Sequence, residues 1–251
     1  MGKIILQPAS NKEAFKHFQD TVQNPVLTST ILPYLKLNSE KDKIRQISRN
    51  EGVFIWGVIP GQKDVNLKKW QKINPGDVTL FYQKGFIIAS AVTTYKFHNN
   101  DLAKFLWGSD KNGETWEYIY FIDEIRYHKI AIKNFNKIVG YEPNYIIQSF
   151  NVLDEIKSIK VLSSFELNSD QYFPEVTEGE FNDVSGINLS GPLDAKGLVN
   201  VRKEQSFLRT SLFKGKTEFK CGICNRIFPI NLLVAAHIKK RKECTSDERR
   251  D

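Results

Sequence analysis

Cysteine is scarce in this chain: there are three in 251 residues, and all of them lie between positions 221 and 244. An odd number of cysteines within one short segment does not build the disulfide framework of a secreted domain, and it fits metal binding in a reducing compartment better. No apolar run approaches the roughly 18 residues of a membrane span. The N-terminal "MGKIILQPAS" lacks the apolar core and the cleavage site of a signal peptide. We therefore expect a cytoplasmic protein with no membrane partner.

Basic residues are missing from the middle of the chain. Residues 161–195 contain seven acids and no Lys or Arg, whereas residues 201–251 contain 13 Lys and Arg against 6 Asp and Glu. Two basic ends around an acidic segment indicate two modules that each meet a polyanion, although lysine in excess can also serve solubility alone. The predicted organisation is a domain at 1–167, an acidic linker at 168–194 and a second module at 195–251.

From residue 52 onward the sequence shows short apolar runs that are rich in β-branched and aromatic residues, as strands are. These runs are "GVFIWGVI", "DVTLFYQ", "GFIIASAVTTYKF" and "WEYIYFIDEI". "NPGD" (74–77) predicts a turn, and "NNDLAKFLWG" (99–108) predicts a short helix that ends at Gly108. "SIKVLSSFEL" (158–167) predicts a further strand. The fold class is therefore α+β, with a curved, mostly antiparallel β-sheet or barrel and surrounding helices.

Residues 50–165 resemble the EVE-type readers of the PUA superfamily, which are relatives of the YTH domains. The resemblance is carried by "IWG" at a strand end, "NLKKW" on the next helix, "INPGDVTLFY" entering a central strand, and "LAKFLWG" with "GETW" before "YIYFI". Such domains hold a flipped, usually methylated, base in an aromatic cage. The resemblance implies that Trp56 and Trp107 are cage walls, that Tyr82 is a third wall, and that Asp64 or Asn66 contacts the base edge.

Lys63, Lys68 and Lys69 lie close enough to these positions in sequence to contact DNA phosphates. Most tryptophans in a small sheet domain are core residues, which is the favoured interpretation of Trp70 and Trp116. The histidines of this domain have no histidine or cysteine near them in sequence, so we interpret them as ordinary surface or half-buried residues.

The three cysteines lie in "CGICNRIFPINLLVAAHIKKRKEC" (221–244). Cys221 and Cys224 form a C-x-x-C pair that can supply half of a tetrahedral zinc site. Twelve residues separate Cys224 from His237, and six separate His237 from Cys244, so a C2HC zinc finger is one interpretation. The spacing of Phe228 before His237 departs from the common finger frame.

The longer stretch from "RKEQSFLR" through the C-x-x-C pair to "LLVAAHI" resembles the front half of HNH endonucleases. The resemblance implies a partial ββα-metal module in which His237 is the catalytic base, and Cys221 and Cys224 hold structural zinc. A divalent metal, Mg or Mn, would assist cleavage. The basic cluster expected to contact DNA phosphates is Lys239, Lys240, Arg241 and Lys242.

The HNH family continues with an Asn, a second pair of zinc ligands and a helix with a metal-binding His, and the sequence ends at Asp251 without them. We therefore expect this chain to be catalytically incomplete.

A reader joined to an HNH module is similar to modification-dependent (type IV) restriction endonucleases. This implies recognition of 5-methylcytosine or 5-hydroxymethylcytosine in double-stranded DNA by base flipping, with N6-methyladenine less favoured, and cutting nearby. Two-fold symmetric cutting would favour a homodimer. The alternative is a non-catalytic reader of modified DNA or RNA with a C2HC zinc finger.

Overall fold

The computed structural model describes residues 2–48, 51–167, 212–213, 218–230 and 233. The predicted linker at 168–194 lies outside these residues. The chain divides into two units, Gly2–Asn168 and a second unit that contains Ser169–Asp251. No described helix combines the length and apolar character needed to cross a bilayer.

Seven strands of the first unit form one mixed sheet in the order β2-β3-β6-β5-β4-β1-β7. The strands are β1 Ile4–Pro8, β2 Val26–Leu27, β3 Gly52–Val58, β4 Val78–Gln83, β5 Phe86–His98, β6 Tyr118–Ala131 and β7 Asn151–Val152. Strands β1 and β4 run parallel, and every other neighbouring pair is antiparallel. The predicted α+β class with a mostly antiparallel sheet is confirmed for this unit, while the predicted HNH module is not shown.

Seven α-helices surround the sheet in the described part of this unit. They are α1 Lys12–Phe18, α2 Thr28–Ile31, α3 Asn38–Ile47, α4 Val65–Trp70, α5 Asn100–Trp107, α6 Ile132–Val139 and α7 Glu155–Ser164. A π-helical turn, Gln19–Gln23, continues α1, and 3-10 turns occupy Leu32–Tyr34 and Gln62–Asp64.

Both faces of the sheet are covered, because successive strand residues point to opposite sides. Trp56 belongs to a core cluster that includes Phe18 and Phe81, whereas its neighbour Ile55 belongs to a second cluster that includes Phe121. Burying a large apolar side chain stabilises a fold by about 1.5–3 kcal/mol. The helices are therefore fixed to both sides of the sheet, and the side chains of β3 are buried or half-buried whichever way they point.

Two local predictions are confirmed and one is wrong. In the turn before β4, the Asp77 N–H donates to Asn74 O over 3.1 Å, and Gly76 has φ 88°. Helix α5 ends at Trp107, followed by Gly108 at φ 75°. The strand predicted at 158–167 is wrong, because the residues up to Ser164 belong to helix α7. This helix begins where the Asp154 side chain accepts a hydrogen bond from the Lys157 N–H.

Candidate nucleic-acid interface

A cavity of about 720 Å³ lies where α1, the end of α5 and the β4–β5 turn meet, and we call it the Trp107 cavity. Its volume falls in the usual range of ligand sites. Its lining combines aromatic rings, amides and lysines: Ser10, Asn11, Lys12, Glu13, Phe15, Lys16, His17, Gln19, Gln83, Lys84 and Trp107.

Helix α1 forms one wall, and its sequence explains its position. The Asn11 side chain accepts from the Ala14 N–H over 2.7 Å, which satisfies a donor that would otherwise be unpaired at the helix start. Phe18 and Val22 are fully buried and hold this segment against the sheet. Exposed Lys12 and Lys16, four residues apart, share one side of the helix.

The β4–β5 turn forms a second wall. Lys84 and Gly85 have φ 43° and φ 90°, as a two-residue hairpin turn of type I′ requires. The Ser10 hydroxyl oxygen accepts from the Lys84 N–H over 3.1 Å and donates to Tyr82 O over 3.5 Å. The Tyr82 hydroxyl oxygen accepts from the Gly85 N–H over 3.1 Å. The turn that carries Lys84 is therefore fastened to the segment before α1.

The aromatic wall comes from Trp107 at the end of α5. A Cβ atom on Gly57 would lie 2.5 Å from the Trp107 ring and 2.4 Å from Trp116 O, so only glycine fits beneath these residues. The His17 ring centroid is 6.0 Å from that of Trp107 and 4.3 Å from that of Trp116, which it meets at 86°. One histidine and two tryptophans thus pack together near Gly57, close to the end of β3.

His17 is only 7% exposed. Desolvation by burial lowers the pKa of His17 from 6.5 to about 4, against the opposing charge of Asp20. The imidazole is therefore neutral near pH 7 and offers one donor and one acceptor. It makes no hydrogen bond to any residue within the described ranges.

The indole N–H groups of Trp56 and Trp107 are both buried without a hydrogen-bond partner in the described structure. Leaving a buried donor unpaired costs about 1–3 kcal/mol. Trp107 thus lines the cavity with a buried indole N–H that has no partner among the described residues.

The rim of the cavity carries positive charge, which is what contact with nucleic-acid phosphates requires. The side chains of Lys12, Lys16 and Lys84 are exposed, and none forms an ion pair with a described residue. Glu13 lies on the same rim. Unpaired ammonium groups around an aromatic cavity can contact the phosphates on either side of a bound base.

The structure places two of the predicted cage walls in the core. Trp56 is 4% exposed and packs edge-on against Phe81, with 5.0 Å between ring centroids. Tyr82 is 5% exposed, and its hydroxyl is used by the turn. Neither ring presents a face to solvent, so we assign neither residue to base stacking. Of the three predicted walls, Trp107 lines the cavity.

The predicted edge and phosphate contacts lie on the 3-10 turn Gln62–Asp64 and on α4, and none of them lines the Trp107 cavity. Lys63, Asp64 and Lys68 are exposed, and Asn66 packs against Gly61. The Lys69 ammonium donates to Phe150 O over 2.9 Å. The structure therefore does not bring these residues to Trp107.

The sequence interpretation missed His17, Gln83 and the lysines on α1 and the β4–β5 turn. Their signal was present in "NKEAFKHF", where Lys12 and Lys16 recur at helical spacing beside Phe15. What pairs this segment with Trp107 is the tertiary contact of the His17 ring with Trp107 and Trp116, which a local pattern does not contain.

In the second unit, β8 Glu218–Lys220 and β9 Ile227–Pro229 form an antiparallel hairpin around the C-x-x-C pair. The Cys221 N–H donates to Arg226 O, and the Cys221 sulfur accepts from the N–H groups of Ile223 and Cys224. These hydrogen bonds lower the pKa of the Cys221 thiol. Two thiols on one tight turn, one of them with a lowered pKa, fit half of a zinc site.

No group of three or more potential ligand side chains occurs among the described residues. The predicted base His237 and the predicted phosphate contacts Lys239, Lys240, Arg241 and Lys242 lie outside those residues, as does Cys244.

No family model and no curated protein matches the sequence. Among solved structures, the chain is similar to the N-terminal domain of Thermococcus gammatolerans McrB bound to m5C DNA, with a TM-score of 0.47 and 14% sequence identity. The match covers 66% of this chain and 98% of that one. At this identity, no residue role is transferred from that protein.

Proposed function

We propose that residues 2–167 bind double-stranded DNA and hold an extruded, modified base in the Trp107 cavity. 5-Methylcytosine or 5-hydroxymethylcytosine is the preferred base, as the resemblance to EVE-type readers implies. The observation that supports the proposal best is the cavity itself, which combines the Trp107 indole with unpaired lysines at its rim.

The cavity offers what an extruded base requires: a flat surface for its face, polar groups for its edge, and cations for the flanking phosphates. Stacking of a base on an aromatic ring contributes about 1–3 kcal/mol. Trp107 supplies the ring, Gln83 and His17 supply polar groups, and Lys12, Lys16 and Lys84 supply the charge. Extrusion costs a few kcal/mol, which stacking and phosphate contacts together can offset.

A binding titration at one fixed salt concentration tests the proposal. Matched duplexes would carry cytosine, 5-methylcytosine, 5-hydroxymethylcytosine or N6-methyladenine at one position. We expect a preference for a modified cytosine, and Trp107→Ala should abolish it. Lys160→Ala is the matched surface control, because Lys160 is exposed on α7 and does not line the cavity. Equal binding to all four duplexes would reject the base-reading function.

For the second unit we propose the HNH interpretation, in which residues 195–251 are a partial ββα-metal module, and cutting near the base held by the reader would need the complete module. Cys221 and Cys224 would hold a structural zinc ion, and His237 would act as the base on the attacking water. A bound Mg or Mn ion would supply charge stabilisation at the phosphate. The support is the sequence motif together with the C-x-x-C hairpin.

Zinc content separates this proposal from a C2HC finger. Cys221→Ser should remove zinc from the purified chain in both cases. Cys244→Ser should remove it only if Cys244 is a ligand, as the finger requires. Retention of zinc in Cys244→Ser supports the HNH interpretation, and its loss supports the non-catalytic reader.

A further inference from the structure

The His17 imidazole lines the Trp107 cavity, belongs to a buried residue, and has no hydrogen-bond partner among the described residues. The Ser10 hydroxyl oxygen accepts from the Lys84 N–H in the β4–β5 turn, and the side-chain carbonyl of Asn11 caps α1. His17 is buried, lines the cavity, and is held edge-on against Trp116. Its position is fixed before any ligand arrives, which is what a specificity contact requires.

The geometry relative to Trp107 also suits such a contact. A base stacked on an indole presents its edge, with its in-plane donors and acceptors, to groups beside the stack. The His17 ring centroid lies 6.0 Å from the Trp107 ring centroid, with 39° between the planes. A neutral imidazole carries one donor and one acceptor in its own plane, so it can complement either kind of edge atom.

On the basis of the proposed base-reading function, we infer that His17 is a specificity-determining residue, whose imidazole hydrogen-bonds to the edge of the base stacked on Trp107. The lowered pKa of His17 agrees with this role, because the imidazole keeps its acceptor across the neutral pH range. A buried donor or acceptor left without its partner by the wrong base would cost about 1–3 kcal/mol.

Substitutions at His17 separate hydrogen bonding from packing. His17→Phe keeps a ring between Trp107 and Trp116 but removes both nitrogens, whereas His17→Asn and His17→Gln each place an amide near one ring nitrogen. In the full chain, we expect His17→Phe to lose about tenfold in affinity for the modified duplex. One of the amide variants should recover part of that loss. His98→Phe is the matched control, because His98 is exposed and lies outside the cavity.

A second measurement does not depend on a variant. The side-chain nitrogen resonances of His17 in the wild-type chain should shift when the modified duplex is added, and should shift less with the unmodified duplex. Unchanged resonances would overturn the inference. So would a His17→Phe variant that keeps the wild-type preference while the amide variants lose it, since that result assigns His17 to packing.

The wild-type titration distinguishes the two levels of failure. If the wild type prefers the modified duplex and Trp107→Ala loses that preference, but His17→Phe keeps it, only the role of His17 is rejected. If the wild type shows no preference, the base-reading function and the role of His17 are rejected together.

Discussion

Tryptophan and lysine side chains lie near each other in two places on the first unit. The two places differ in the partners of the indole N–H and ammonium groups. Beside α4, the Trp70 indole N–H donates to Ile119 O over 3.3 Å, and the Lys96 ammonium lies 4.8 Å from the Trp70 ring centroid. In the Trp107 cavity, the indole N–H has no described partner.

The lysines follow the same division. The Lys96 ammonium donates to the carbonyls of Trp70 and Gln71, and the Lys69 ammonium donates to Phe150 O. Lys12 and Lys84, by contrast, project from the cavity rim without an ion-pair partner among the described residues. Residue types alone do not mark a binding site, because the α4 group uses its polar atoms to hold the fold.

The largest expected difference between the two places is in the salt dependence of DNA binding. Replacing Lys12, Lys16 and Lys84 together by Ala should reduce the slope of log K against log salt by up to about 2 to 3, because each phosphate contact contributes about 0.9. The Lys69→Ala, Lys96→Ala double variant should leave the slope unchanged and lower thermal stability. Similar slopes for both variants would remove the distinction drawn between the two groups.

A smaller difference is expected between the unfolding free energies of two matched variants, Trp70→Phe and Trp107→Phe. Trp70→Phe removes a hydrogen bond and weakens a cation–π contact, so we expect it to cost about 1–2 kcal/mol of unfolding free energy. Trp107→Phe removes a buried donor that had no described partner, so we expect a smaller cost despite the smaller ring. Denaturant titrations of both variants measure the difference. An equal or larger cost for Trp107→Phe would contradict the assignment of an unpaired donor.

A further prediction concerns the pH dependence of stability at the Trp107 cavity. The unfolded chain takes up a proton on His17 as pH falls through 6.5, but the folded chain does so only near pH 4. Wild type should therefore lose stability relative to His17→Phe between pH 6.5 and 4, with no further change below 4.

The comparison must be made as a difference between those two proteins. Burial raises the pKa of Asp77 from 3.8 to about 6, which makes the folded state more stable as pH falls from 6 to 3.8. That opposite trend is shared by wild type and variant, so it cancels in the difference. A difference that does not change with pH would show that His17 titrates normally in the folded chain.

The sheet and part of the site could be predicted from the sequence. Turns and helix ends depend on a few neighbouring residues, and these were predicted correctly: the Asn74–Asp77 turn and the end of α5 at Gly108 are both as predicted. The wrong predictions concern features that depend on tertiary packing. Trp56 and Trp107 each precede a glycine, but Trp56 lies on a strand whose two faces are both covered, and Trp107 lies at a helix end beside a cavity.

The strand predicted at 158–167 failed for a related reason. Ile159, Val161 and Leu162 are β-branched or apolar residues that suit a strand, yet they are buried on one side of α7. His17 was missed because its partners, Trp107 and Trp116, are distant in sequence.

The π-helical turn Gln19–Gln23 makes the cavity sensitive to chain length as well as to side-chain identity. A wide turn accommodates one residue more than an α-helical turn, so deleting a single residue from it would restore a regular helix. Because α-helical residues are spaced about 100° apart around the axis, such a deletion would rotate α1, which ends at Phe18, relative to the chain that follows the turn. The orientation of His17 in the cavity would then change although the residue itself is unchanged. An insertion or deletion in this turn could thus alter what the domain recognises without any substitution in the cavity.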